Sequence, residues 1–226
     1  MTKNRLISLD AFRGFTIALM IIVNDPGDWD NTFSPLLHAD WHGITLTDFV
    51  FPFFIFIVGV SIVISQKNKG TSSSNSAIIY RSIKIFSLGV FLGFVGEFMH
   101  HVISLGENIS LSDIRIPGVL QRIALVYLFC ALLHNYTTWF QQFSIILILL
   151  IGYYFVMEFI PVPGIGPGVL EPGKNLAAYV DSILIPGSLW QGTWDPEGIL
   201  STFPAIASGI IAVSYTHLTL PTICSV

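Results

Sequence analysis

Asp48–Ser65 reads DFVFPFFIFIVGVSIVIS, eighteen residues whose only formal charge is the first. A helix that crosses the hydrocarbon of a bilayer needs about 20 apolar residues, with a range of about 17–25. This stretch meets that length, and five others around it do the same. Leu6–Val23 precedes it and is interrupted by Asp10 and Arg13. Ala77–Met99, Ile116–His134 and Trp139–Ile160 follow, the last being the most uniformly apolar. A sixth begins near Gly198 and runs to Ala212.

The composition agrees with a membrane reading. Of the 226 residues, 53% are hydrophobic and only 11% charged, where a soluble domain carries about 25% charged residues. Mean hydropathy is +0.72. An ordinary soluble domain is thereby excluded, as is a disordered chain, since apolar content is high and net charge is only −4. Ten Lys and Arg against fourteen Asp and Glu leave no basic surface, so nucleic acid is not an expected partner. Two Cys supply neither a disulfide framework nor a Cys-based metal site. The fold class expected is all-α, a polytopic helical transmembrane bundle with about six spans. Asp10 and Arg13 fall in the wrong place for the apolar region of a signal peptide, and no A-x-A-like site follows, so the first span reads as retained.

Cationic residues set the expected orientation. Lys3 and Arg5 precede the first span, and Lys67, Lys69, Arg81 and Lys84 gather around the turn between the second and third. Asn24–Thr47 has no Lys or Arg and carries Asp25, Asp28, Asp30 and Asp40, while Pro161–Glu197 holds only Lys174. The N-terminus is therefore expected in the cytoplasm and both long loops on the far side. Lys67–Ser76 (KNKGTSSSNS) reads as a polar linker, and the Pro- and Gly-rich Pro161–Gly173 as irregular structure.

The character of the chain changes at Val213–Val226, VSYTHLTLPTICSV. One frame of a common transposon-type sequencing adapter encodes Val-Ser-Tyr-Thr-His-Leu-Thr-Leu-Pro-Thr. Residues 213–226 are accordingly expected to be a non-native adapter translation appended to a membrane domain, residues 1–212, that is cut short. This sets aside Cys224 and His217 and leaves Cys130 and five His.

Ionisable residues inside a membrane are functional candidates by default. Asp10 and Arg13, three apart, share a helix face and are close enough to pair, whether to shape a site or to hold the bundle. Arg115 and Arg122, with Gln121, flank a Pro-Gly break in IRIPGVLQRI; Arg suits phosphate, and interface snorkelling is the alternative. The richest segment is Val23–Phe54, with Asn24, Trp29, His38, Trp41, His42 and Asp48. A His at a membrane boundary can serve as base or nucleophile near neutral pH, or be no more than a hydrogen-bonded loop residue. His38 and His42 are four apart, but Pro35 and Gly43 limit a helix across them and no H-E-x-x-H is present, so no metal site is expected. His100, His101 and His134 sit at span ends and read as interface anchors. No G-x-S-x-G, P-loop or G-x-G-x-x-G occurs.

Three blocks, RLISLDAFRGFTIALMIIVN, LLHADWHGITLTDFVFPFFIFIVGVSI and IRIPGVLQRIALVYL, resemble the heparan-α-glucosaminide N-acetyltransferase family of transmembrane acyltransferases. NLAAYVD, WDPEG and LSTFPAIASGI resemble its bacterial branch, and the likeness runs from Arg5 to Ala212. The resemblance implies transfer of an acetyl group from cytoplasmic acetyl-CoA to a sugar amine or hydroxyl across the membrane. It implies a catalytic His in a His-Ala-x-Trp-x-Gly-x-Thr block, which here is His38 with Trp41, and a catalytic Asn at the end of the first span, which here is Asn24. Asp10, Arg13, Trp41, Asp48, Arg115, Gln121 and Arg122 are the expected substrate- or cofactor-binding residues, with Arg115 and Arg122 as candidates for CoA phosphates, although the orientation rule places Arg115 nearer the outer side. His42 stands where the lysosomal members carry Asn, which bears on the acceptor more than on the donor. The expected setting is a bacterial inner membrane, with a homodimer left open and a chain this short inactive alone. The alternative reading is a transporter or flippase for a polar or lipid-linked sugar, which intramembrane charges and Pro-broken helices also suit.

Overall fold

The computed structural model describes residues 6–70, 72–103, 115–190 and 192–223, without the side chains of residues 100, 101 and 220–223. Lys3, Arg5, Cys224 and the rings of His100 and His101 thus lie outside the described residues. Helices run over Ile7–Asn24 (α1), Val50–Lys69 (α2), Asn75–Ile103 (α3), Val119–Tyr136 (α4), Trp139–Phe159 (α5), Leu176–Leu184 (α6) and Ile199–Ile223 (α7). All but the short α6 are long and apolar enough to cross a membrane. Among the described residues there is no strand, only one isolated bridge between Val162 and Gly166.

Local chemistry explains where the helices begin and end. Pro117 lacks an N–H and disfavours helix at the residue before it, so α4 starts at Val119 rather than at Ile116. Thr138 and Gln141 cap α5 reciprocally: the Gln141 side chain accepts from the Thr138 N–H at 2.9 Å, and the Thr138 hydroxyl accepts from the Gln141 N–H at 3.5 Å. Gly70 ends α2 in the left-handed region at φ +66°, so the first three residues of the expected Lys67–Ser76 linker are helical. α7 runs past Ala212 to Ile223, with Val213 and Thr216 buried and the Ser214 hydroxyl 2.7 Å from Gln142 Oε1.

The core lies where α2, α4 and α7 meet. Ile55, Ile62 and Val63 pack there against Val126, Cys130 and Ala131 and against Ile206, Ala207 and Ile210, with Ile78 of α3 and Ile146 of α5 closing the sides. Small residues bring these backbones together. A methyl on Gly59 would lie 2.6 Å from Ala212 Cβ and 2.8 Å from the Gly209 carbonyl oxygen, and one on Gly209 would lie 2.6 Å from Cys130 Sγ. Close approach through Gly and Ala is how helices associate where lipid removes the hydrophobic drive between them. The outer helices turn large apolar residues away from the protein, such as Phe143, Ile148, Ile151 and Phe155 of α5. Only 11% of the α5 span is buried against 44% of the α7 span. Such continuous apolar surface is stable only against lipid, so this is an integral membrane protein.

The loop after α1 and the segment between α5 and α7 meet at one end of the bundle. Trp41 Nε1 donates to the Leu170 carbonyl at 2.8 Å, and the Trp41 and Trp194 rings pack edge to face at 5.1 Å.

Candidate active site

The loop from Asp25 to Leu46, which holds a 3₁₀ turn at Ser34–Leu36, and a second 3₁₀ turn at Thr47–Phe49 lead into α2. Within this loop Gly43 adopts φ +121°, a conformation open to glycine and costly for other residues. The chain reverses there and brings His38 back over the start of α2. His38 Nδ1 lies 2.7 Å from Asp48 Oδ1. Asp48 is itself held: Oδ2 accepts from the Thr45 N–H at 2.8 Å and from the Ala39 N–H at 3.4 Å. The Thr45 hydroxyl lies 2.6 Å from the Leu37 carbonyl and 3.0 Å from Asp48 Oδ2, so its one proton is shared between them. The sequence signal for this arrangement is the capping-box spacing Thr45-x-x-Asp48 ahead of an apolar run, of which the structure forms one half: Asp48 accepts the Thr45 N–H, while the Asp48 N–H goes to the Thr45 carbonyl. The carboxylate that caps the segment also takes the His38 ring.

An Asp acceptor at Nδ1 fixes the proton there and leaves the lone pair of Nε2 free. The side chain of His38 is 69% exposed and that of Asp48 only 26%, so the ring is reachable and its anchor is not. An oriented, accessible imidazole backed by a carboxylate can take a proton from an attacking group or accept an acyl group itself. Asn24 closes the same end as the last residue of α1. Its amide donates one hydrogen to the Met20 carbonyl at 2.9 Å and keeps a second. Below it, Leu19 and Val23 pack with Val50, which ties the end of α1 to the start of α2. Trp41 spans from this loop to the α5–α7 segment, and His42 follows it, exposed on the loop surface.

The other expected site residues fall into two groups. Asp10 and Arg13 pair at 3.5 Å, and Arg13 also donates to Ser61 of α2. This pair lies toward the N-terminal half of α1, away from His38. Arg115, Gln121 and Arg122 are engaged within the protein. Arg115 makes a two-point contact with Asp195, at 2.7 Å through both Nε and Nη2, and also pairs with Glu197. Its guanidinium lies over the Trp190 ring at 5.0 Å. Arg122, mostly buried, donates to the Pro196 carbonyl at 2.5 Å and to Ser201, while its Nε has no partner among the described residues. The Gln121 amide donates to the Ile116 carbonyl at 2.9 Å.

Asp195 and Glu197, both within the WDPEG block, are thus the counter-charges of these arginines. Burial alone would push the Asp195 carboxyl up, but the Arg115 fork and the N–H groups of Glu197 and Trp190 bring it below its usual range. For Glu197 burial outweighs Arg115 and Arg122, and its carboxyl is held above the usual range. Asp181 completes the cluster. It accepts the Ile199 N–H at 2.8 Å at the start of α7, and burial raises its carboxyl too. Among the described residues no three His, Cys, Asp or Glu are gathered as a metal would require.

Fold and site together define a multi-span helical membrane protein with a carboxylate-oriented histidine at one end of the bundle. The chain belongs to the heparan-alpha-glucosaminide N-acetyltransferase catalytic family, whose profile matches residues 5–180. It is 29% identical over 262 aligned residues to the heparan-alpha-glucosaminide N-acetyltransferase of Mus musculus, covering 94% of this chain. It is 31% identical over 260 residues to that of Homo sapiens, covering 92% of this chain. The matches cover 38% of each relative's length, so the chain spans well under half of the curated relatives it matches.

Proposed function

We propose that this chain is part of an integral membrane acetyltransferase that passes an acetyl group from cytoplasmic acetyl-CoA to a sugar amine or hydroxyl on the extracytoplasmic side. The observation that carries this reading is the His38–Asp48 pair, held at 2.7 Å at the mouth of a membrane bundle. Membership of a family named for a glucosaminide N-acetyltransferase supports it.

In the direct route His38 Nε2 takes the proton of the acceptor amine as its nitrogen attacks the thioester carbonyl. The C–S bond then breaks, and the imidazolium returns the proton to the departing thiolate, giving CoA and the amide. In the two-step route Nε2 attacks first and carries the acetyl group to the acceptor. In both, Asp48 holds the tautomer, and the second amide hydrogen of Asn24 would donate to the oxyanion. A donor of this kind contributes about 3 kcal/mol to the transition state. Trp41 holds the loop that carries His38 against the α5–α7 segment. The matched charges of Arg115 and Arg122 favour bracing that segment over binding CoA phosphates.

The lysine and arginine distribution supports a cytoplasmic N-terminus, and the likeness of NLAAYVD, WDPEG and LSTFPAIASGI to the bacterial branch supports a bacterial inner membrane. Residues 213–226 are proposed to be an adapter translation, which resequencing of the source DNA past codon 212 decides. The native protein would then continue beyond the chain given, and the 226-residue chain would be inactive by itself.

The test uses membranes bearing the full-length protein, labelled acetyl-CoA and a panel of amino sugars. Transfer that falls by about 10²–10⁴ in His38→Ala, with expression retained, is the expected result. Near-normal turnover in that variant overturns the assignment. Absence of any transfer or labelled protein, with sugar movement across the membrane, favours the transporter reading.

A further inference from the structure

A cavity of about 460 Å³ lies between α3, the start of α4 and the segment before α7. Arg115 and Trp190 line it, and Arg115 is tied through Asp195 to the turn whose Trp194 meets Trp41. The cavity therefore stands at the same end of the bundle as His38. Yet Asn24, His38, Trp41 and Asp48 do not line it.

Its shape follows from glycines spaced along one face of α3. A methyl on Gly89 would lie 2.5 Å from Gln121 Oε1. One on Gly93 would meet the Arg115 carbonyl oxygen at 3.5 Å, and one on Gly96 would meet nothing within 4 Å. Over these two turns α3 and α4 touch at Gly89 and part toward the outer end.

The walls carry three kinds of group. The Arg115 guanidinium lies over the Trp190 ring at 5.0 Å, and Asp195 and Glu197 hold that guanidinium, so the ring is fixed while it stays 60% exposed. Glu97, in the last turn of the α3 span, is exposed and makes no hydrogen bond or ion pair among the described residues. A carboxylate within an apolar span is costly and marks a functional position. At the start of α4, Gly118 has no side chain to cap the helix, which leaves the N–H groups of its first turn as donors.

A fixed aromatic face beside a free acceptor and backbone donors suits a ring with apolar faces and hydroxyls around its edge. A sugar ring has that form. A phosphate or sulfate does not fit, because Arg115 already faces two carboxylates and Glu97 adds a further negative charge. The volume lies within the range of about 300–1,000 Å³ typical of ligand sites. The Trp41 and Trp194 rings, packed at 5.1 Å, stand in the chain of contacts that joins this cavity to the His38 loop.

We propose that this cavity is a second sugar subsite, which takes the unit next to the amino sugar acetylated at His38. Trp190 stacks on the ring of that unit and Glu97 accepts from its hydroxyls. The protein thereby favours an acceptor of two or more sugar units over a free monosaccharide. This placement rests on the acetyl-transfer reading above.

The test uses the full-length protein in nanodiscs with labelled acetyl-CoA. The acceptors are glucosamine and the α- and β-linked forms of glucosaminyl-1,4-glucose, each carrying one amine. The readout is kcat/KM for a disaccharide divided by kcat/KM for glucosamine. Wild type is expected to favour one of the disaccharides by about tenfold. Trp190→Ala is expected to lower that ratio by about fivefold or more, through the KM of the disaccharide rather than kcat. Trp190→Phe keeps an aromatic ring and is expected to retain most of the ratio. Glu97→Gln, at an exposed position, is expected to lower it by about threefold. Thermal unfolding checks that each variant is folded, and Glu97→Gln decides the matter if Trp190→Ala is not. A disaccharide preference that is the same in wild type, Trp190→Ala and Glu97→Gln overturns the placement. Equal use of glucosamine and both disaccharides by wild type overturns the subsite and leaves the acetyl-transfer reading standing. No transfer to any acceptor overturns both.

Discussion

Arg115 and Arg81 are built alike and matched differently. Each guanidinium lies over an aromatic ring, Trp190 at 5.0 Å and Tyr127 at 5.1 Å. Arg115 meets two carboxylates and closes a cluster that fastens the α5–α7 segment to α4. Arg81 meets none among the described residues and borders a cavity. The difference separates a charge that the fold has already used from a charge left for something else. Desolvating an arginine is tolerable when a fork of hydrogen bonds replaces water, as at Asp195. An unmatched arginine at the edge of a bundle keeps its water until a ligand takes that place.

The largest expected effect breaks the matched side. Arg115→Ala leaves the Asp195 carboxylate, whose side chain is 0% exposed, without its partner. The loss should be about 3–5 kcal/mol, read as a lowered midpoint in detergent-solubilised protein. A fall comparable to that of a surface residue would mean that the cluster is not what fastens the segment.

Next comes the other matched pair, His38 with Asp48. Asp48→Asn keeps the size of the side chain but weakens control of the His38 tautomer. Transfer by the full-length protein should drop by about 10²-fold or more with little change in stability. A shifted pH–rate profile would separate orientation of the ring from simple loss of the loop. Gly209→Val tests the packing that holds both ends in register. Its side chain would meet Cys130 and Val126, at a cost of about 1–3 kcal/mol in the same unfolding assay. The smallest effect is expected on the unmatched side. Arg81→Gln should change stability by less than about 0.5 kcal/mol, since no ion pair among the described residues is lost. A large loss there would show that Arg81 is as fully used by the fold as Arg115.

Much of the fold is legible in the sequence, because a span is a local property. Length and apolarity along one stretch suffice, and the six segments agree with the helices to within a few residues except at Ala212, where α7 continues. Boundaries differ where a single residue dictates geometry, as Pro117 does for α4 and Gly70 for α2. Within the candidate site, His38 and Asn24 stand out by resemblance rather than by pattern, since a loop histidine looks the same whether or not it is oriented. Asp48 is expected as a binding residue, yet its contact with His38 spans ten positions of irregular chain, and only the Thr45-x-x-Asp48 cap hints at it.

The arginines mark the boundary most sharply. IRIPGVLQRI shows two cations beside a helix break and says nothing of Asp195, which lies 80 residues away from Arg115. Whether a cation is matched depends on which distant carboxylate the chain folds against it, and Coulomb attraction falls with distance in space rather than along the sequence. The class, an all-helical membrane bundle with its spans and its cationic turns, is therefore written locally along the chain, because these follow from hydrophobic length and local charge. Which charges are matched emerges only from the packing of distant segments. Packing α4 against α7 gave Arg115 and Arg122 their partners, and packing α1 through α4 left Lys69 and Arg81 facing a cavity with no carboxylate among the described residues.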